Sequence, residues 1–447
     1  MAENKWERIL HLFKQDNIFP VALSHYHLGT GILFYAPLQK RGVLIEEAEY
    51  NWLCSNYPIA FKKIQTLLGS KKEEISYLSC QHSADVVRMS IIPTYQCNFH
   101  CSYCYAALGR SAAVLSAENL QTALKYFINP NRLARRDLYI SIVGGGEPLM
   151  VWEQITRQIV TQIPSLAAKN GFNARLMLNT NGALINNSIA ETLQQQHVRL
   201  SVSFDILPDA QEKYRGHYLE VSNGIKCALK HLCEVSFRST ITPYNVERQA
   251  EMVSRVKENF PEVKKLNFEY VVSRQLLPQT EALVVFLEKF TDHFFAALDV
   301  AKKLGIQLIT PTLKNSETIA DRFCSGDFCL TPLGTISVCH RFSSPHEAHY
   351  QQCIYGAVKD SEVRINEEAF QRLMQQNVYT DKHCEACFAK WHCGGHCLAH
   401  CYTYGKDELE VLCGFIRRFT LRCILEDLER HSVYLLDGER LHYSNLQ

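Results

Sequence analysis

The sequence predicts an α/β fold: a central run of alternating strands and helices, a small mixed region before it and a cysteine-rich extension after it. Three observations carry this. Short apolar runs alternate with amphipathic segments from residue 86 to about residue 310, the pattern of repeated βα units in a parallel sheet or barrel. The alternation stops after Pro311. Ten of the 18 cysteines then fall between Cys324 and Cys413.

Size and charge narrow the field further. At 447 residues the chain is too long for one comfortable core and suits two or three domains. Hydrophobic residues at 47% and charged residues at 21% exclude disorder and coiled coil. Lys plus Arg (47) nearly balance Asp plus Glu (46), which argues against a bulk-charge grip on nucleic acid or an anionic membrane. No apolar run is long enough to span a bilayer, and the first eight residues lack the apolar core of a secretion signal. The expected compartment is therefore the cytoplasm, with no nucleic-acid or membrane partner.

Residues 1–85 read as the small mixed region. Residues 31–35 and 42–45 are β-rich runs around a turn, and a helical stretch over 47–68 is broken at Asn56-Tyr57-Pro58. Residues 86–310 hold the alternation. Strands are expected at 86–92, 138–143, 175–178, 200–204, 235–241 and 266–272. Helices are expected after Ser116, which suits an N-cap, and at 152–163, 188–196, 223–233, 246–259 and 281–304. Residues 311–430 form the cysteine-rich extension, with helices near 367–376 and 415–430, and residues 431–447 read as a tail. In such folds the working residues lie on loops leaving the C-terminal ends of the strands.

The first such loop carries Cys97-Asn98-Phe99-His100-Cys101-Ser102-Tyr103-Cys104, a C-x3-C-x2-C spacing. Crowded thiols in a reducing compartment serve metals or redox chemistry. Three thiolates on a four-iron cube leave one iron open, whereas a structural zinc needs a fourth ligand, for which His100 is awkwardly placed. Gly144-Gly145-Gly146-Glu147-Pro148 closes the second strand. As a lone run it reads as a plain turn, or as a place where main chain approaches a ligand without a Cβ in the way. Asn179-Thr180-Asn181-Gly182 closes the third strand; Ser203-Phe204-Asp205 closes the fourth, with Arg215 twelve residues after Ser203. Arg215 is either a surface residue or a bidentate partner for a carboxylate.

Together these stretches resemble the radical S-adenosylmethionine (radical SAM) superfamily. The resemblance implies a partial (β/α)6 barrel and a 4Fe-4S cluster on Cys97, Cys101 and Cys104. Tyr103 would lie against the adenine of S-adenosyl-L-methionine (SAM), and Gly145, Gly146 and Glu147 would hold its amino group. Asn181 closes a similar tripeptide, and Ser203, Asp205 and Arg215 would contact ribose and carboxylate. SAM chelated at the open iron and cleaved by one electron would give a 5′-deoxyadenosyl radical. A reductant such as flavodoxin or ferredoxin is implied as partner.

The second cysteine field, Cys384-x2-Cys387-x5-Cys393-x3-Cys397 with Cys324, Cys329 and Cys339 upstream and Cys413 downstream, resembles the SPASM extension of peptide-modifying radical SAM enzymes. Carried over by position, Cys324, Cys329, Cys339 and Cys397 would hold one auxiliary 4Fe-4S cluster. Cys384, Cys387, Cys393 and Cys413 would hold the other, with Cys401 an alternative to Cys413. Zinc is the competing reading, because His383, His392, His396 and His400 thread the same segment. Otherwise these histidines are donors to cluster sulfurs or surface residues.

The resemblance points to oxidative cross-linking (C–C, C–O or thioether) in a ribosomally made precursor peptide, whose leader the N-terminal region would bind by strand addition. The alternatives are a sulfatase-type maturase forming formylglycine and a non-enzymatic, zinc-organised binding module. In sulfatase maturases an aspartate base follows the cysteine at the Cys339 position; here it is His340, either a cluster neighbour or a proton acceptor of near-neutral pKa.

Overall fold

A computed structural model describes residues 13–14, 16–46, 49–77 and 82–442, and divides into two compact units. The predicted 311–430 extension is shared between them. Pro311–Cys324 and everything from Gln376 onward join the N-terminal region, and Ser325–Gln375 joins the central βα region.

In the first unit β1 (Phe19–Ala22), β2 (Ile32–Ala36) and β3 (Arg41–Ile45) form an antiparallel meander, with Ile32 opposite Ile45 and Ala36 opposite Arg41. The expected helical break falls at Asn56, between helices Tyr50–Ser55 and Tyr57–Leu68. Ala60, Ile64 and Leu68, spaced by one helical turn, bury against Phe34, Val43 and Ile45 of the sheet. The opposite face takes Leu421, Ile424 and Leu425 of the long helix Lys406–Glu426.

Part of the expected tail is core. Strand Ser432–Leu435 pairs in parallel with β3, from Ser432 opposite Arg41 to Leu435 opposite Leu44. Val433 is fully buried beside Leu33 and Leu44, which drives the strand into the sheet. That strand fills the β3 edge, one of the two edges to which a leader peptide would add.

The second unit is built on six parallel strands in chain order: β4 (Arg88–Ile91), β5 (Asp137–Ile142), β6 (Asn173–Thr180), β7 (Arg199–Ser203), β8 (Val235–Ile241) and β9 (Lys265–Tyr270). Helical crossovers join them, as the alternation predicts. The helix Ala117–Phe127 starts at Ser116, whose Oγ accepts from the Asn119 N–H at 3.1 Å, and buries Leu120, Ala123, Leu124 and Phe127. The helix expected at 152–163 opens with a π-helical turn, Trp152–Thr156, and continues to Lys169.

Further strands extend the sheet beyond the six. β10 (Gln307–Ile309) adds in parallel to β9. On the other side β4 pairs in parallel with β11 (Phe328–Leu330), followed by antiparallel β12 (Thr335–Ser337), β13 (Ile354–Lys359) and β14 (Glu362–Ile365). The sheet runs in open order from β10 to β14, a partial barrel with the cysteine-rich segment 325–375 grown onto its first strand. Among the described residues no helix is long and apolar enough to cross a membrane.

Candidate active site

Every strand from β4 to β9 delivers residues to one cavity of about 180 Å³ at its C-terminal end. Cys97, Cys101 and Cys104 line one wall together. Burial pushes the Cys97 and Cys101 thiols up, and neighbouring thiols add to it, while Arg110 and Arg215 pull them back down. Three crowded thiols under cationic side chains form an all-sulfur donor set that suits a cluster, since metal binding removes the protons that burial otherwise retains. Among the described residues no three His, Cys, Asp or Glu side chains converge as a site for a single metal ion.

The glycine run is locked to this loop. The Glu147 N–H donates to the Gln96 carbonyl at 2.6 Å, one residue before Cys97. A Cβ on Gly146 would stand 1.9 Å from that carbonyl oxygen, and one on Gly144 would stand 2.0 Å from the Gly146 oxygen. Glycine is thus required here by contact with the cysteine loop itself. Gly144 and Gly146 line the cavity; Gly145 does not, because its Cα faces the Tyr95 ring.

Glu147 is 2% exposed, and its carboxylate ties two strand ends together. It accepts from Thr180 Oγ1 at 2.7 Å, from the Asn181 N–H at 2.7 Å and from the Leu149 N–H at 3.0 Å. Burial pushes its pKa up against these bonds. Asn181 in turn donates to Asn98 Oδ1 at 2.8 Å, inside the cysteine loop.

Tyr103 is pinned from both sides. Its hydroxyl donates to Asp205 Oδ2 at 2.5 Å and accepts from Arg215 Nη1 at 3.2 Å, while Asp205 Oδ1 accepts the Thr240 N–H at 3.0 Å. Asp205, 1% exposed, is bonded to Tyr103 and is not among the cavity-lining residues. Ser203 and Arg215 do line it, and Arg215 Nε is buried with no acceptor. That unpartnered donor suits a carboxylate, and the side chain is buried rather than a surface residue.

The His340 ring lies edge-on to Tyr105 at 5.9 Å, and burial together with Arg238, Arg341 and Arg88 pushes its pKa down to about 3. Of its two readings, that direction weighs toward a neighbour of the cysteines rather than a proton acceptor. The residue that reaches the cavity is its neighbour Arg341, whose guanidinium sits 5.0 Å over the Tyr105 ring.

Sequence reasoning passed over the opposite wall. Arg238 Nη2, from the middle of β8, and Glu269 Oε2, near the end of β9, pair at 2.7 Å. Burial pushes Glu269 up, but Arg238 and Arg341 outweigh it and hold the carboxyl below the usual range. The signal was a charged residue inside each of two otherwise strand-like runs.

The second cysteine field divides. Cys324 and Cys397 belong to the first unit, Cys329 and Cys339 to the second. Cys384, Cys387, Cys393 and Cys413 all lie in the first unit and feel one another's charge, and burial pushes Cys384, Cys393 and Cys413 up to about 12. Cys401 instead neighbours Cys397 and accepts from Gln376 Nε2 at 2.6 Å, so Cys413 rather than Cys401 accompanies the trio. Of the threaded histidines, His396 meets Cys413, His392 bonds Tyr35 and His383 bonds Asp381.

Residues 91–256 match the Radical SAM superfamily. An uncharacterized protein of Methanothermobacter thermautotrophicus is 25% identical over 171 residues, 38% of this chain; the match spans 63% of that relative's length. Among solved structures, native anSMEcpe, an anaerobic sulfatase-maturing enzyme with bound AdoMet and Cp18Cys peptide, aligns with TM-score 0.55 at 15% identity, over 75% of this chain and 97% of its own. Streptococcus suis SuiB bound to precursor peptide SuiA aligns with TM-score 0.51 at 13% identity, over 83% of this chain and 95% of its own. At these identities the likeness concerns the fold.

Proposed function

We propose that this chain, whose residues 91–256 match the Radical SAM superfamily, is a peptide maturase that forms an oxidative intramolecular cross-link in a ribosomally made precursor. The observation that carries this reading is the single cavity in which three cysteines face an arginine with an open donor. When bound there, a cluster on Cys97, Cys101 and Cys104 with SAM supplies a carbon radical able to take hydrogen from an unactivated carbon. The chain's own residues orient and enclose. Arg215 offers Nε to the SAM carboxylate, Asp205 and Tyr103 fix that arginine, and Glu147 holds the loop that cradles the amino group. Arg238, Glu269 and Arg341 face the space left for substrate.

The second cysteine field supports a net oxidation, because auxiliary clusters give the substrate's remaining electron somewhere to go. The peptides present in the two solved structures named above support a peptide substrate. An outside one-electron donor completes the set of partners.

The test is a mass measurement. Reduced, reconstituted enzyme incubated with SAM and a short peptide encoded beside its gene is expected to yield peptide lighter by two hydrogens. A new aldehyde on Cys or Ser in a sulfatase motif would instead support formylglycine formation. Zinc without iron or sulfide in anaerobically purified protein would support a binding module.

A further inference from the structure

His396 reaches the sulfur of Cys413 within the field formed by Cys384, Cys387, Cys393 and Cys413. Gly394, Gly395 and His396 are left-handed in succession, with φ of +66°, +78° and +73°. Gly394 needs that freedom, since a Cβ there would stand 2.2 Å from the Arg322 carbonyl carbon. A histidine in this region is uncommon and is kept only where the surroundings hold it. The backbone of Gly395 and His396 opposes the burial that pushes the Cys393 thiol up. His396 places Nε2 3.0 Å from Cys413 Sγ, on the helix Lys406–Glu426.

The ring is 8% exposed, and its Nδ1 is buried without a partner. A ligated thiolate carries no proton, so the hydrogen between His396 and Cys413 belongs to Nε2, which leaves Nδ1 as the bare lone pair. The Arg417 guanidinium opposes the burial that pushes the Cys387 thiol up, so positive charge lies near this site as well. Hydrogen bonds to cluster sulfurs and nearby positive charge favour the more reduced, more negative form.

Resting on the reading of these four cysteines as cluster ligands, we propose that His396 is a positioning residue that donates from Nε2 to the Cys413 sulfur and raises the reduction potential of that auxiliary cluster. The site would thereby be a better electron acceptor than the same four cysteines without the His396 donor, suited to taking the substrate's electron.

The test compares full-length reconstituted wild type with His396→Gly in an EPR-monitored redox titration. Glycine adopts the left-handed turn freely, so only the ring donor is lost. The expected result is unchanged iron and sulfide content, with one midpoint moved to a more negative potential. At a fixed poise the reduced-to-oxidised ratio of that cluster falls about tenfold, the weight of one hydrogen bond to a charged group. His396→Asn, which tolerates the same backbone but is too short to reach Cys413, is expected to behave alike. Equal midpoints at equal iron content would overturn the proposal, as would a shift of all the midpoints together. Wild-type protein without iron would overturn the cluster reading on which it stands.

Discussion

Replacing Cys101 with alanine is expected to lower the iron content from about 12 to about 8 atoms per chain and to abolish formation of 5′-deoxyadenosine. The size of the effect follows from the count of ligands. A cube already held by three thiolates has no spare, and the Cys101 thiol feels both the Arg215 charge and the neighbouring Cys104. Two thiolates in a cavity lined by Asn181, Ser203 and arginines offer no further sulfur to take its place. Cys233→Ala is the control: Cys233 is buried, donates to the Ala190 carbonyl and stands outside both cysteine fields. Its loss should leave iron and turnover unchanged. Iron analysis and chromatography of the nucleoside product check both variants.

Arg215→Ala is expected to be the costliest substitution for stability, at about 3–5 kcal/mol, because it strands a buried carboxylate. Asp205 is 1% exposed, and without the guanidinium its charge is opposed only by the Tyr103 hydroxyl and the Thr240 N–H. Tyr103 loses the bond that holds it from the other side. Arg215→Lys keeps the charge but not the planar fork, and is expected to recover part of the stability and little SAM affinity. Denaturant unfolding and equilibrium SAM binding separate the two effects. Unchanged stability in Arg215→Ala would mean that the Tyr103–Asp205–Arg215 chain does not carry the load assigned to it.

Much of the βα core was legible because burial writes itself into periodicity. Residues 235–241 alternate strictly and form β8 with those bounds, and Leu120, Ala123, Leu124 and Phe127 bury the stripe their spacing predicts. The strands after residue 311 were not legible. β11 and β12 are three residues each, too short for a period to show, and they exist by pairing with β4 and with each other. Strand Ser432–Leu435 was hidden for a related reason: what fixes it is β3, nearly 400 positions away in the chain.

The candidate site was legible in its cysteines and glycines, whose chemistry is carried by spacing. The inward-facing charges were not. Arg238 and Glu269 are recognisable only once neighbouring strands bring them to 2.7 Å. The downward shift of His340 depends likewise on burial first, and then on Arg238 and Arg88 from distant positions together with the adjacent Arg341. For Asp205 the motif named the right residue, and packing assigned it to Tyr103 rather than to the cavity.

The most direct measurement is EPR of the dithionite-reduced, reconstituted enzyme before and after addition of SAM, with the products collected. One cluster signal should change shape on addition, and 5′-deoxyadenosine and methionine should appear in equal amounts. A spectrum indifferent to SAM, with no nucleoside released, would contradict the assignment of Cys97, Cys101 and Cys104 to an open-iron cluster.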